Sequence, residues 1–248
     1  MATLPNVVAA PSPVCLNDFA LLPTSRFKLA SMLDQTMAFP STGVNGIVLF
    51  GLYGTGKTTL ANLLPGLLES SKAHPEPSTL DPNTLTDNQE PNSQYFACMQ
   101  GQNGLTLIQG IQSATSFVAW NTSGLHYVIL DEVDLLTEAA MTSFKSVMNR
   151  KNVVFIMTTN HLDQIDPGIQ NRSVLVDMNQ PPAANWRPLL RRVYTDASLT
   201  PPSDAVLDQV VNAGRGSARS IFNDIVMSAN QARRDGQRQV ATVTKIRS

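Results

Sequence analysis

The residues best suited to chemistry lie in a glycine-rich turn, where Gly51, Gly56, Lys57 and Thr58 fit the pattern G-x-x-x-x-G-K-[ST]. Glycines let backbone N–H groups wrap around phosphate oxygens, because they adopt conformations that other residues avoid. Lys57 would meet the outer phosphates, and the hydroxyl of Thr58 would bind Mg²⁺. The turn therefore predicts a site for a nucleoside triphosphate with its metal ion. The predicted binding residues are Gly51, Gly54, Thr55, Gly56, Lys57, Thr58 and Thr59.

A second chemical signal is the acidic pair Asp131 and Glu132, directly after the apolar run 127–130. This is a Walker B pattern, in which the first carboxylate holds the water shell of Mg²⁺ and the second activates the attacking water. Taken alone, two acids at a strand end are also typical of a solvated turn. The preceding phosphate-binding turn favours the catalytic interpretation. Asn160 follows another apolar run, 153–157, and ligands of open α/β sheets bind at this end of the strands. We therefore expect Asn160 near Asp131.

The elements that must position these residues alternate between strand and helix. Apolar runs at 47–50, 95–99, 127–130, 153–157 and 173–178 predict five strands. Helical periodicity predicts helices over 25–37, 58–70, 105–119 and 137–149, with Pro65 as an interruption and Phe117 facing inward. This rhythm predicts a five-stranded parallel sheet covered on both faces, an αβα sandwich. We expect an irregular N-terminal arm over 1–25 and a long loop over 71–94.

The motif Gln180-Pro181-Pro182 ends this rhythm and predicts a domain boundary, so the first domain is expected over 1–179. Helical patterns near 186–194, 203–213 and 217–234 predict a small helical domain over 180–236. The remaining residues, 237–248, are expected to be frayed or weakly extended.

Composition favours a water-soluble protein, with 42% hydrophobic and 15% charged residues and no apolar run of membrane-spanning length. The N-terminus does not have the pattern of a signal peptide, so a cytoplasmic location is expected. Charge is uneven along the chain. Residues 1–186 hold 8 Lys and Arg against 14 Asp and Glu, whereas residues 187–248 hold 10 against 5. A basic C-terminal part could contact nucleic acid, or it could be an ordinary solvated helical surface.

Taken together, the stretches GLYGTGKTT, LDEVD, MTTN and GSARS, in this order, resemble those of AAA+ ATPases. Within that family the sequence is most similar to the clamp-loader ATPase subunits, over about residues 17–234. The resemblance implies a P-loop NTPase fold with a helical lid domain, and ATP and Mg²⁺ as cofactors. Its departures are Leu52-Tyr53 in place of two prolines, Asn171 and Ser173 beside Arg172, and no collar domain after the lid.

The resemblance also implies residue roles. Asp131 would bind Mg²⁺ through water, Glu132 would be the catalytic base, and Asn160 would position water at the γ-phosphate. Arg172 would be an arginine finger acting in trans, so the active site would form only between subunits of a ring or spiral homo-oligomer. Arg219 would be the lid-domain sensor. For the two arginines, the alternatives are a surface ion pair and a solvated helix residue.

The implied function is Mg²⁺-dependent ATP hydrolysis in DNA replication or DNA handling, with DNA and a replication protein such as a sliding clamp or helicase as partners. A phage or viral replication system, acting in a bacterial or infected-cell cytoplasm, is the expected setting. The alternatives are a protein remodeller and a nucleotide-gated assembly switch that acts on a protein partner. Threading of a polypeptide is disfavoured, because the segment 99–104 has no aromatic residue.

Overall fold

The sheet that organises the chain has five parallel strands, as the sequence predicted. A computed structural model describes residues 7–41, 43–99 and 104–246, with the backbone alone for 236–246. The strands are β1 (Gly46–Phe50), β2 (Asn92–Ala97), β3 (His126–Asp131), β4 (Val153–Thr159) and β5 (Ser173–Asp177). Their order in the sheet is β2-β3-β4-β1-β5, and every pair is parallel. Strands β1 and β4 are buried along nearly their whole length because helices cover both faces.

The helices around the sheet are α1 (Pro23–Leu33), α2 (Lys57–Ala73), α3 (Gly104–Ala114), α4 (Glu138–Val147) and the single turn α5 (Pro167–Gln170). Two apolar clusters fill the space between helices and sheet. One joins α1 and α2 to alternate residues of the strands, such as Ile47, Ile129 and Ile156. The other joins α3 and α4 to the residues between them, such as Val48 and Phe155. Alternation along β1, β3 and β4 thus supplies a core on both faces.

Strand register places the chemically interesting residues at one edge. Leu49 lies opposite Thr158 and Phe50 opposite Thr159, so β1 and β4 end together. Strand β3 ends beside them, since Leu130 pairs with Met157. The carboxyl ends of the three central strands therefore converge, which brings the phosphate-binding turn, the acidic pair and Asn160 to the same edge.

The chain divides into two compact units. Residues 13–179 form the sheet unit, and residues 180–248 form a helical unit together with the N-terminal segment. The helical unit contains α6 (Ala183–Asp196), α7 (Asp204–Ala213) and α8 (Ala218–Ile246). Two hydrogen bonds connect its N-terminal segment, residues 7–12, to α8. The side chain of Asn230 accepts from the N–H of Val8 and donates to the carbonyl of Val8, each at 3.0 Å.

Several predicted boundaries were wrong. Residues 237–246, which we expected to be frayed or weakly extended, continue α8, because they contain no proline and the single Gly236 before them costs a helix only about 1 kcal/mol. Pro65 does not interrupt α2. The 95–99 strand begins earlier, at Asn92, and ends at Ala97. The predicted loop 71–94 is shortened at both ends by α2 and β2, and the irregular arm ends at Pro23, the first residue of α1.

The prediction for Phe117 was also wrong. Its side chain is 77% exposed, because α3 ends at Ala114 and leaves Phe117 in a loop. The hydroxyl of Thr115 donates to the carbonyl of Ile111 at 2.8 Å, and that of Ser116 donates to Ser113 at 2.7 Å. These bonds satisfy carbonyls at the helix end, so hydroxyl side chains stop a helix that apolar periodicity alone would extend. The segment 99–104, which has no aromatic residue, lies mostly outside the described residues.

Candidate functional site

The phosphate loop, residues 51–56, connects β1 to α2 and depends on glycine. Gly51, Gly54 and Gly56 have φ values of 146°, 74° and 93°, which other residues rarely adopt. At Gly51 an added Cβ would lie only 3.0 Å from the backbone nitrogen of Asn179, so a side chain would also crowd the backbone there. Helix α2 begins directly after Gly56. Its first-turn N–H groups and dipole therefore favour an anion at the loop.

Lys57 lies inside this loop with only 8% of its surface exposed. Its Nζ donates to the carbonyl oxygens of Gly51 at 2.9 Å and Leu52 at 2.7 Å. Burial lowers the pKa of Lys57, while the charges of Asp131, Asp134 and Glu132 act in the opposite direction. A buried ammonium group bonded to backbone carbonyls can exchange those partners for phosphate oxygens without leaving the loop.

Asp131, at the end of β3, is the point where four elements meet. Its Oδ1 accepts from the hydroxyl of Thr58 on α2 at 2.9 Å and from that of Thr158 on β4 at 2.5 Å. Its Oδ2 accepts from the phenol of Tyr95 on β2 at 2.7 Å. The two predicted metal ligands, Thr58 and Asp131, are therefore in direct contact. The other two partners, Thr158 and Tyr95, were not among the predicted site residues.

The sequence contains a signal for Thr158, because this hydroxyl residue directly follows the apolar run 153–157 at the end of a predicted strand. In the structure Thr158 is 1% exposed, and a buried hydroxyl needs a hydrogen-bond partner. It also accepts from the N–H of Glu132 at 2.9 Å, so it ties both acids to β4. No comparable sequence signal marks Tyr95. Tyr95 reaches Asp131 only because β2 pairs with β3. Burial, followed by the bond to Asp131, raises the pKa of Tyr95 to about 12, so the phenol is a donor at neutral pH.

Glu132 and Asn160 are positioned by backbone geometry at the same edge. Glu132 has φ 59° and ψ 51°, a left-handed conformation that is uncommon for residues other than glycine. Such strain is concentrated at functional sites, where surrounding bonds hold it. The side chain of Glu132 is exposed. Asn160 directly follows β4, which lies between β1 and β3, so it stands between the phosphate loop and the acidic pair.

The structure does not bring Arg172 to this edge. Arg172 precedes β5, and its carbonyl accepts from the N–H of Gly46, the first residue of β1, at 2.9 Å. It thus lies at the amino edge of the sheet. At about 3.3 Å per residue, the five residues of β5 put about 16 Å between the two edges. Its guanidinium donates to the carbonyl of Gly168 at 2.8 Å.

A cavity of about 650 Å³ opens beside Arg172. Three cations line it, Arg150, Lys151 and Arg172, and no acid is among its described lining residues. The amino edge of the sheet therefore presents concentrated positive charge.

Arg219 is the second residue of α8, in the helical unit, and it is exposed. Its role in nucleotide sensing stays a prediction.

The residues around Asp131 fit Mg²⁺. Hydroxyl and carboxylate oxygens are the hard ligands that this ion prefers, and with phosphates present it uses only one or two protein carboxylates and keeps several waters. The described residues contain no group of three or more His, Cys, Asp or Glu side chains able to hold a metal ion by themselves.

The site has the arrangement of a P-loop nucleoside triphosphatase: a glycine-rich loop joins a strand to a helix, and a second strand ends in an acidic residue at the same edge of the sheet. The chain belongs to the AAA family, the ATPase family associated with various cellular activities, whose sequence profile matches residues 47–176. The protein is therefore a nucleotide-binding ATPase of that family. No curated protein sequence matches the chain.

The fold is similar to that of RuvB from Thermotoga maritima. Two RuvB variants superpose with a TM-score of 0.61, and a RuvB structure described as a Holliday junction branch migration motor superposes with a TM-score of 0.59. Each is 14% identical to this chain, with 89% of this chain and 72% to 73% of the RuvB chain covered. At this identity the likeness establishes the fold alone. In the described part of the chain, no helix is long and apolar enough to cross a membrane.

Proposed function

We propose that this protein hydrolyses ATP with Mg²⁺ as a multi-subunit assembly and uses the energy to handle DNA. The observation that carries the proposal is the distribution of residues over the two edges of the sheet. Lys57, Thr58, Asp131, Glu132 and Asn160 gather at the carboxyl edge. Arg172 lies at the opposite edge, beside a cationic cavity. One subunit would then hold a triphosphate and a neighbouring subunit would complete its site.

At the carboxyl edge, each residue has a separate task. Lys57 would transfer its bonds from the loop carbonyls to the β and γ phosphates, and the N–H groups of the loop and α2 would hold the remaining oxygens. Thr58 and Asp131 would hold Mg²⁺, the latter through water. When bound, Mg²⁺ would neutralise charge on the phosphate oxygens.

Hydrolysis then needs one proton transfer. Glu132 would accept a proton from a water molecule that Asn160 orients, as the water oxygen attacks the γ-phosphorus and the bond to the bridging oxygen of ADP breaks.

The location of Arg172 favours action in trans. With about 16 Å of β-strand between the edges, Arg172 is too far from the phosphate loop of its own subunit to stabilise charge there. A neighbour whose carboxyl edge packs against the amino edge would present its triphosphate to the cationic cavity. Contacts between the carboxyl edge of one subunit and the amino edge of the next are head-to-tail, and their repetition from subunit to subunit would build a ring or a spiral.

Two observations support DNA as the substrate on which the protein acts: the structural likeness to RuvB and the basic C-terminal part of the chain. Some of the basic residues already form ion pairs within the protein. Arg187 pairs with Asp208 at 2.6 Å and with Asp204 at 3.4 Å, and Arg191 also pairs with Asp204. The exposed Arg215 and Arg234 are better candidates for DNA phosphates. A sliding clamp or helicase as a further partner stays a prediction, as does a phage or viral replication system in a bacterial or infected-cell cytoplasm.

The test is steady-state ATP hydrolysis with and without DNA, over a Mg²⁺ titration, in the wild type and in Lys57→Ala. We expect ATP turnover that needs Mg²⁺ and increases when DNA is added. Lys57→Ala should lose both turnover and ATP binding, because the variant lacks the cation that faces the phosphates. ATP affinity that survives Lys57→Ala would contradict the nucleotide site. Turnover that is Mg²⁺-dependent but indifferent to DNA would instead favour a nucleotide-gated switch or remodeller acting on a protein.

A further inference from the structure

Tyr95 donates a hydrogen bond to Asp131, although neither the phosphate-loop pattern nor the Walker B pattern includes a tyrosine on this strand. Tyr95 belongs to β2, the outermost strand beside β3. Its ring is about half exposed, at 49%, and burial of the ring therefore does not explain its orientation. Its hydroxyl donates to Asp131 Oδ2 at 2.7 Å, on the oxygen that Thr58 and Thr158 do not contact.

The strand register explains how the tyrosine reaches the acid. Tyr95 lies opposite Ile129, and Asp131 is two residues further along β3, so all three side chains point to the same face of the sheet. A diagonal neighbour two residues away is within reach of an aromatic side chain. The direct neighbour of Asp131 is Ala97, whose methyl group leaves room for the tyrosine ring.

We propose that Tyr95 is a positioning residue for the metal site, holding the Asp131 carboxylate in the orientation that the water shell of Mg²⁺ requires. The inference rests on the proposed function, since it assumes that Asp131 faces the Mg²⁺ of a bound nucleotide. The terminal torsion of an aspartate is broad, and bonds to Oδ1 alone leave the carboxylate plane free to tilt about that oxygen. A donor on Oδ2 fixes the plane before the metal arrives. Because a carboxylate oxygen has two acceptor sites, Oδ2 can still accept from a metal-bound water.

Tyr95→Phe removes the hydroxyl and keeps the ring. The partially exposed position tolerates this change, so the variant should fold. The measurement is the affinity of a slowly hydrolysed fluorescent ATP analogue as a function of free Mg²⁺, and again in excess chelator. Loss of a partner behind a metal ligand typically weakens metal affinity tenfold or more. We expect the Mg²⁺ concentration for half-maximal tight binding to rise about tenfold, with nucleotide affinity in chelator unchanged because Lys57 and the loop are intact.

The matched control is Tyr194→Phe, which removes the same atom from a bond of 2.8 Å to Ser228 in the helical unit. It should leave the Mg²⁺ dependence as in the wild type. A double-mutant cycle gives a second readout: in an Asp131→Asn background, Tyr95→Phe should change the Mg²⁺ dependence no further, because the two residues act as one unit.

The outcomes separate this inference from the proposed function. A wild type whose nucleotide binding ignores Mg²⁺ would contradict the proposed function and the inference together. A wild type that needs Mg²⁺, with a Tyr95→Phe variant identical to it, would overturn the inference alone. Tighter Mg²⁺ binding in the variant would also overturn it, since Tyr95 would then compete with the metal. Equal losses with and without Mg²⁺ would make Tyr95 merely structural.

Discussion

At the scale of single residues, the site is organised by one carboxylate that receives three hydroxyl donors. Asp131 is bonded to Thr58, Thr158 and Tyr95, which belong to three different elements. Bonds to an ionised acceptor are the stronger kind, about 1.5–3 kcal/mol each in typical cases. Loss of the charge at Asp131 would therefore loosen α2, β4 and β2 at the same edge. The neighbouring Glu132 donates its own N–H to Thr158, and its carboxylate, which we propose as the base, is exposed.

The residue-scale prediction concerns Glu132→Gln. The variant keeps the size and the backbone bond to Thr158 but removes the carboxylate that we propose as the base. ATP affinity should therefore stay within about twofold while turnover falls by a factor of about 10² to 10⁴. Equilibrium binding and single-turnover hydrolysis measure the two effects separately. Glu138→Gln is the matched control, because Glu138 is an exposed acid in the first turn of α4, and it should leave turnover unchanged. Near-normal turnover in Glu132→Gln would mean that another group activates the water.

At the scale of elements, the short turn α5 determines where Arg172 lies. Asp166 caps α5 by accepting from the N–H of Gly168 at 2.7 Å, and it pairs with Lys145 of α4 at 2.8 Å. Gly168 in turn accepts from the Arg172 guanidinium. The chain of contacts from α4 through α5 to Arg172 keeps this arginine at the amino edge. A four-residue helix has little stability of its own, so these bonds are needed to hold it.

This arrangement predicts a pH dependence. The bond from Lys145, followed by the Gly168 N–H, holds the pKa of Asp166 below its ordinary value. A lowered pKa in the folded state gives stability that is present above the unfolded value of about 3.9 and is lost as pH falls through the folded value. Asp166→Asn should therefore lower the melting temperature at neutral pH, and the difference from the wild type should shrink as pH falls below about 4.

Thermal unfolding over that pH range checks the prediction, with Asp163→Asn as the control. Asp163 is an exposed acid three residues earlier, so its loss should shift the melting temperature little at any pH. A stability difference for Asp166→Asn that is constant down to strongly acidic pH would show that the charge of Asp166 is not what stabilises α5.

At the scale of the whole molecule, the proposed action of Arg172 in trans would make assembly of subunits a condition of catalysis. A finger in trans stabilises charge that appears only in the transition state. Arg172→Ala should therefore leave ATP affinity almost intact and lower turnover about a thousandfold or more. Mixing Arg172→Ala with excess Glu132→Gln should recover part of the activity, because some interfaces then pair an intact Glu132 with an intact Arg172. A mixture that co-assembles but stays inactive would refute the trans arrangement.

The helical unit offers a matched pair for testing DNA binding. Arg234 is exposed on α8, whereas Arg191 is paired with Asp204, so the two differ in whether the charge is already neutralised. If Arg234 contacts a phosphate, Arg234→Gln should weaken DNA binding for all sequences and reduce the slope of log affinity against log salt by about one. Arg191→Gln should change the slope less. DNA affinity that is insensitive to salt in the wild type would exclude phosphate contacts as the basis of binding.

The sequence by itself determined the phosphate loop, the acidic pair, the five parallel strands and the P-loop class of the chain, since each of these is encoded by residues close together. Gly51 to Thr58 carries its chemistry in eight consecutive positions, and apolar runs with acidic or polar ends are equally local. Element ends were less predictable. The position of Phe117 was misjudged because hydroxyl side chains after Ala114 help to decide where α3 stops. The residues after Gly236 were misjudged because one glycine does not end a helix.

Only the tertiary structure decided which distant residues meet. The order β2-β3-β4-β1-β5 brings Tyr95 and Thr158 to Asp131. Arg172 lies at the far edge because it directly precedes β5, which runs parallel to β1, although it is only 12 positions from Asn160 in the sequence. The same holds for Glu69 of α2, a fully buried acid that accepts from the Tyr127 phenol at 2.7 Å. Strand order and register are set by how apolar surfaces fit together across the whole domain, and residue spacing along the chain does not contain that information.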